Sequence, residues 1–277
     1  MRGLALTALL ATLVPLAAVW PAANYQSEIA EWRRQREASL KQDGGWLTVT
    51  GLFWLREGTN RFGASASNDI VLPAGPAQAG VFELRKGAVT AVSLGGSRAI
   101  RPDTDDFFAV GRLRLYVIQR GDRYGIRLKD PESPFRRDFH GLEYFPAREE
   151  YRVTARFVPE PRKIPIANII GQSELDDSPG YVVFRLHGRE FRLRPVLEEP
   201  GAKELFFIFR DQTAGKETYG AGRFLYTGLP QNGSVVLDFN QAYNPPCAFT
   251  PYATCPLPPR ENRLPVRIEA GEKNYGH

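Results

Sequence analysis

Leu113-Arg114-Leu115-Tyr116-Val117-Ile118-Gln119-Arg120-Gly121-Asp122-Arg123-Tyr124-Gly125-Ile126-Arg127-Leu128 holds two apolar runs, rich in β-branched and aromatic residues, around a short polar break. The runs at 113–119 and 124–128 flank Arg120-Gly121-Asp122-Arg123, and this spacing predicts an antiparallel hairpin. The Arg-Gly-Asp triplet is then turn chemistry rather than an adhesion signal. Runs of the same kind precede the hairpin at 45–55, 69–72, 80–84, 89–94 and 107–111. Others follow it at 151–158, 164–170, 181–186, 191–196, 205–209, 223–226 and 235–239. Gly, Pro, Asn and Asp separate them at short intervals. The pattern predicts a mainly β fold of antiparallel sheets, a sandwich or open barrel in two β-rich halves.

One helix is predicted, over 27–40, with Ser27 as N-cap, Glu28 and Glu31 in its first turn, and Ile29, Trp32 and Leu40 apolar. Arg33, Arg34 and Arg36 read as its solvated face. A weak boundary near Pro146 divides the chain into 24–148, the helix with a first β-rich half, and 149–277, a second half ending in a long Pro-rich loop.

Residues 1–23 have the layout of a secretory signal peptide: a short basic start at Arg2, an uncharged apolar run from Gly3 to Trp20, then Ala22 and Ala23. The expectation is a periplasmic or secreted protein with no stable membrane span after cleavage. The chain has 277 residues, 43% hydrophobic and 24% charged, with net charge +5, three His and two Cys. Its apolar fraction excludes wholesale disorder. The scattered Lys and Arg, together with export, exclude nucleic acid as a partner. Few His and Cys exclude most metal architectures, and neither a metal nor a cofactor is implied.

Export also decides how the two cysteines read. Cys247 and Cys255 close a short loop, and an oxidising compartment makes an intrachain disulfide the expectation. Such a loop stabilises by roughly 2–3 kcal/mol in the chain-entropy account.

Familiar catalytic patterns are missing. Gly63-Ala64-Ser65-Ala66-Ser67 and Gly171-Gln172-Ser173-Glu174-Leu175 each lack the second Gly of a nucleophile elbow. Gly215-Lys216 has Glu217 before Thr218 and no Gly five residues earlier, so it is not a phosphate-binding loop. Asp103-Thr104-Asp105-Asp106 and Glu174-Leu175-Asp176-Asp177 lack the spaced ligands of a calcium loop and read as turns. His140 and His187 each precede a Gly, with no nucleophile beside them.

The stretch from Leu55 to Gly63, followed by Asn68 to Leu72, weakly resembles the opening strands of a forkhead-associated domain. Ala64 stands where that domain's phosphate-reading Arg would be, so only a fold hint carries over. A second resemblance rests on Gly45-Trp46-Leu47, Trp54-Leu55, Thr218-Tyr219, Gly222-Arg223 and the block from Asp238 to Cys247. It continues through Cys255-Pro256-Leu257, Asn262-Arg263-Leu264-Pro265 and Ala270-Gly271-Glu272. These residues resemble the domain of unknown function 1684 family of bacteria and archaea. The resemblance implies no activity, because that family is uncharacterised.

Within it, the segment 240–262 is an irregular loop stiffened by Pro, the kind of surface that carries function on a β scaffold. Asp211, Arg223, Asn240, Asn244 and Asn262 are its candidate ligand-binding residues. Asp238, Glu272 and Tyr243 are the candidate catalytic groups. Equally, Arg223 pairing with Asp238 or Glu272, and Asn side chains capping backbone, hold such a loop down. The leading expectation is a pocket under the 240–262 loop that binds a small polar molecule or peptide. Two alternatives stand beside it. One is a hydrolase or transferase using Asp238 or Glu272 as general acid/base, with Tyr243 and Arg223 orienting the substrate. The other is an envelope assembly protein with an exposed aromatic patch at Phe249 and Tyr252.

Overall fold

The computed structural model describes residues 22–276. The expected leader, 1–23, lies outside the described residues except for its last two. Helix α1, Ala22–Lys41, begins five residues before the predicted start, so Ser27 lies within it rather than capping it. Ala22 and Ala23 are good helix formers and extend it backwards. Tyr25, Ile29 and Leu40 are buried. The arginine run is not one solvated face: Arg34 is 74% exposed, whereas Arg36 is 14% exposed and points into the protein.

Nine strands follow: β1 (Val49–Trp54), β2 (Gly58–Gly63), β3 (Ile70–Val71), β4 (Gly80–Arg85), β5 (Ala88–Ser93), β6 (Gly96–Ile100), β7 (Phe107–Val110), β8 (Leu113–Arg120) and β9 (Arg123–Lys129). They make two sheets, ordered β1-β9-β8-β7 and β3-β2-β4-β5-β6, antiparallel except for the β2–β3 pair. The β8–β9 hairpin forms where the sequence predicts it, with Arg120 opposite Arg123. Gly121, at φ 57°, takes the positive-φ position that a tight hairpin turn needs. One face of this hairpin, Leu113, Leu115, Val117, Ile126 and Leu128, packs with Phe62 and Phe82 of the other sheet. Strand alternation sends Arg120 and Arg127 to the opposite face.

After a short helix, α2 (Pro134–Arg137), come β10 (Arg152–Ala167), β11 (Ser173–Leu186), β12 (Arg189–Leu193), β13 (Glu204–Phe209), β14 (Arg223–Gly228) and β15 (Ser234–Asp238). A sheet ordered β12-β11-β10-β15 packs against the β13–β14 hairpin around Tyr151, Phe184, Phe207, Phe209, Leu237 and Phe239. β10 joins two runs that the sequence reads as separate, because the chain crosses Pro159 and Pro161 as a bulge rather than a turn. Glu174-Leu175-Asp176-Asp177, read as a turn, instead pairs with β10, where Lys163 meets Asp177 at 3.0 Å. The fold is mainly β, antiparallel and open, with one N-terminal helix and no closed barrel. Residues 239–276 run across it without a named strand.

Candidate functional site

A cavity of about 360 Å³ lies where α1, the outer face of β8–β9, the β13–β14 hairpin and the loop 240–262 converge. Cross-strand pairing stacks Phe206 on Tyr226 at 4.7 Å between ring centroids. The loop joins the edge of β14 by a reciprocal bridge: Tyr243 N–H donates to Phe224 O and Phe224 N–H to Tyr243 O, both at 2.9 Å. That bridge sets Tyr243 nearly parallel to Tyr226, at 6.2 Å. Burial pushes both phenols well above the ordinary tyrosine range, so both are neutral donors at pH 7. Tyr226 OH donates to Glu198 Oε2 at 2.6 Å.

The basic groups arrive from separate elements. Arg36 reaches over Tyr243, its guanidinium 4.5 Å from the ring centroid. Arg127 lies 5.0 Å from the Trp46 ring and is 9% exposed. Arg120 donates from Nε to Thr254 Oγ1 and from Nη1 to Asp103 Oδ1, each at 2.9 Å.

Of the candidate ligand-binding and catalytic residues, Tyr243 lines this cavity, and the others form hydrogen-bond networks outside it. Glu272 is fully buried; its Oε1 accepts from Arg36 Nε at 2.7 Å and its Oε2 from Asn244 N–H at 2.8 Å. Burial raises its pKa against the pull of Arg36. Asn244 Nδ2 donates to Lys273 O at 2.7 Å. Asp238 accepts from Tyr25 OH at 2.9 Å and from Asn240 N–H at 3.1 Å, tying the start of α1 to the end of β15. Its carboxyl too is raised, chiefly by burial.

Arg223 pairs neither with Asp238 nor with the Glu272 side chain. It meets Asp211 Oδ1 at 3.3 Å and donates to the carbonyls of Ile268, Ala270 and Glu272. Asp211 also accepts from Ile268 N–H at 2.7 Å. Asn262 donates to Arg194 O and Ile208 O and accepts from Arg194 N–H, using its amide fully. These groups hold the C-terminal segment in place; they do not face the cavity.

Cys247 and Cys255 are free thiols in this structure, which shows no disulfide between them. Each sulfur accepts the other residue's backbone N–H, at 3.2 and 3.4 Å, which closes the loop without a covalent bond. Cys255 borders the cavity. Of the expected aromatic patch, Phe249 is 2% exposed and packs on Tyr275, while Tyr252 is half-buried.

Arg36, Trp46, Arg120, Arg127, Glu198 and Tyr226 line the cavity but were not marked by the sequence. Arg127 carried no signal, since Ile126-Arg127-Leu128 is the ordinary alternation of a strand. Trp46 stands in a motif that carried the family resemblance.

No curated protein matches the chain. An uncharacterized protein of Haloarcula marismortui, solved by solution NMR, is 31% identical over 52% of this chain and 82% of its own, with a TM-score of 0.43. The family described as "Protein of unknown function (DUF1684)" matches residues 137–273, a span that takes in the β10–β15 region and the loop but not Trp46 or the β8–β9 hairpin. The chain belongs to that family.

Proposed function

We propose that the protein binds a small polar molecule in the cavity beneath the 240–262 loop. The observation that carries this reading is the cavity itself: about 360 Å³, walled by Trp46, Phe224, Tyr226 and Tyr243, with a few polar groups from distant segments converging on it. Concave sites that combine an apolar, aromatic wall with convergent polar groups, here three arginines and Glu198, are the usual form of small-molecule pockets. Trp46 is a built-in reporter. A ligand at about 100 times its Kd stabilises by roughly 2.7 kcal/mol, which a thermal-shift screen of envelope metabolites and short peptides resolves. Hits are expected to change tryptophan fluorescence, and Trp46→Phe is expected to abolish that change. A screen without hits, or hits indifferent to Trp46, removes this reading.

The acid/base alternative finds no support in the geometry. Asp238 and Glu272 are saturated by their network partners and lie outside the cavity. The assembly alternative keeps one of its two aromatics at the surface, because Phe249 is buried and Tyr252 half-buried.

The proposal includes export, on the strength of the leader-like residues 1–23. Two thiols in mutual contact are then placed to oxidise by exchange with a partner disulfide, which takes up their two electrons and two protons. Alkylation of the periplasmic fraction is expected to label Cys247 and Cys255 only after reduction. Recovery of the intact chain in the cytosol counts against export.

A further inference from the structure

Among the described residues Arg127 is a buried charge without an ion-pair partner, Asp103 attracting it without a salt bridge. Its Nε and Nη2 are buried without a hydrogen-bond partner, and no carboxylate pairs with it among the described residues. A buried cation in that state is costly, and proteins normally pair it. The contrast is with Arg223, which is buried more deeply and also leaves its Nε unpartnered, but is matched by Asp211 and three carbonyls. Burial and the neighbouring Arg120 charge push Arg127 down to about 10, so it remains charged at neutral pH.

Its surroundings are basic as well. Arg36 uses Nε and Nη2 on Glu272 and Asn244, and Arg120 uses Nε and Nη1 on Thr254 and Asp103. Among the described residues, neither Arg36 Nη1 nor Arg120 Nη2 makes a hydrogen bond. Glu198, the carboxylate in the same lining, accepts from the neutral Tyr226 phenol through Oε2, so the lining carries three guanidinium charges against one carboxylate. Arg127 also borders a second hollow of about 310 Å³ that contains Asp103, but Asp103 is held by Arg120 and by the Gln119 amide.

We propose that the ligand is an organic oxyanion, a carboxylate or a phosphate ester. Its charged head lies among Arg127, Arg120 and Arg36, and its apolar body rests on Trp46 and Tyr243. This rests on the reading of the cavity as a ligand site. Guanidinium recognises both oxyanions through charge-assisted hydrogen bonds, and the Trp46 ring lies 5.0 Å from the Arg127 guanidinium.

The test is calorimetric titration of the protein and of Arg127→Met with benzoate, phenyl phosphate, inorganic phosphate and neutral benzamide. Benzoate or phenyl phosphate is expected to bind about tenfold or more tightly than benzamide, and Arg127→Met to erase that preference. Benzoate without phosphate binding assigns a carboxylate; the reverse assigns a phosphate. Arg127→Lys is expected to fall between, because it keeps the charge but loses the planar group.

The unliganded Arg127→Met protein is expected to melt no lower than wild type, since an unpaired buried charge has been removed. A fall as large as that from removing Arg223 marks Arg127 as a structural residue and overturns the proposal. Equal binding of benzamide and benzoate, or anion binding unchanged in Arg127→Met, also overturns it while leaving the pocket intact. If none of the four probes binds while the metabolite screen gives hits, the oxyanion assignment falls alone. If the screen is empty too, both readings fall.

Discussion

Replacing Arg223 with Met is expected to lower the melting temperature by roughly 10 °C and to loosen the C-terminal segment first. The Arg223 side chain is buried against Asp211 and donates to the carbonyls of Ile268, Ala270 and Glu272. Methionine fills much of the volume but donates nothing. It leaves Asp211 without its cation and strands carbonyls in a region closed to water. Breaking a buried pair by removing one partner costs about 3–5 kcal/mol. Asp211 keeps Thr213 and the Ile268 N–H, so the lower half of that range applies.

Hydrogen exchange separates this from a general loss of packing. Amides whose bonds depend on the clamp, Ile268 N–H to Asp211 and Glu272 N–H to Ala242 O, are expected to lose protection before those of β8–β9. An unchanged melting curve, or uniform loss of protection, removes the clamp argument.

The second large effect is at Glu272. Alanine there strands Arg36, the Asn244 amide and the stacked position of Arg36 over Tyr243 together. A loss of about 3–5 kcal/mol is expected. Ligands that shift the wild-type melting curve are expected to shift the Ala variant less, because Arg36 and Tyr243 both line the cavity. Glutamine costs less, about 1–3 kcal/mol, since its amide oxygen satisfies one donor while its NH2 confronts the other.

The pH dependence distinguishes charge from shape. Glu272 is raised in the folded state, so the folded protein binds this proton more readily than the unfolded chain. Its contribution is fully present below the ordinary glutamate value and is lost as pH rises through the raised one. Wild type is therefore expected to gain stability over Glu272→Gln as pH falls from neutral towards about 4.5. Asp238, also raised, acts in the same direction in both proteins. Asp69 and Asp130 are lowered, so their contributions are lost below the usual aspartate value. Denaturant midpoints at pH 7 and pH 5 measure the gap. A gap that narrows towards pH 5 contradicts the raised value.

Much of the frame follows from local chemistry. Gly121 at a tight turn between apolar runs dictates the β8–β9 hairpin, and the Pro-dense stretch after β15 cannot continue a ladder, so it becomes the irregular loop. Misreadings arose where local signals met long-range pairing. Glu174 to Asp177 looks like a turn until β10 supplies a strand, and with it Lys163, opposite.

The candidate site divides along the same line. Asp, Asn and Arg clustered around the 240–262 loop announced a polar network, and the network exists. Residue type alone does not say whether such groups satisfy one another or await a ligand, because that depends on which partners the fold brings within about 3 Å. Arg127 shows the converse. Its place in β9 puts it on the strand's outer face, where a sequence predicts water and an unremarkable cation. Trp46 comes from 81 positions before it and Cys255 from 128 after it, and the helix carrying Arg36 covers the same face. Burial of that face is a property of the assembled layers rather than of any segment. The sequence alone determined an antiparallel β protein with a pinned polar loop. Only the tertiary structure decided which of its buried charges is left without a counter-charge.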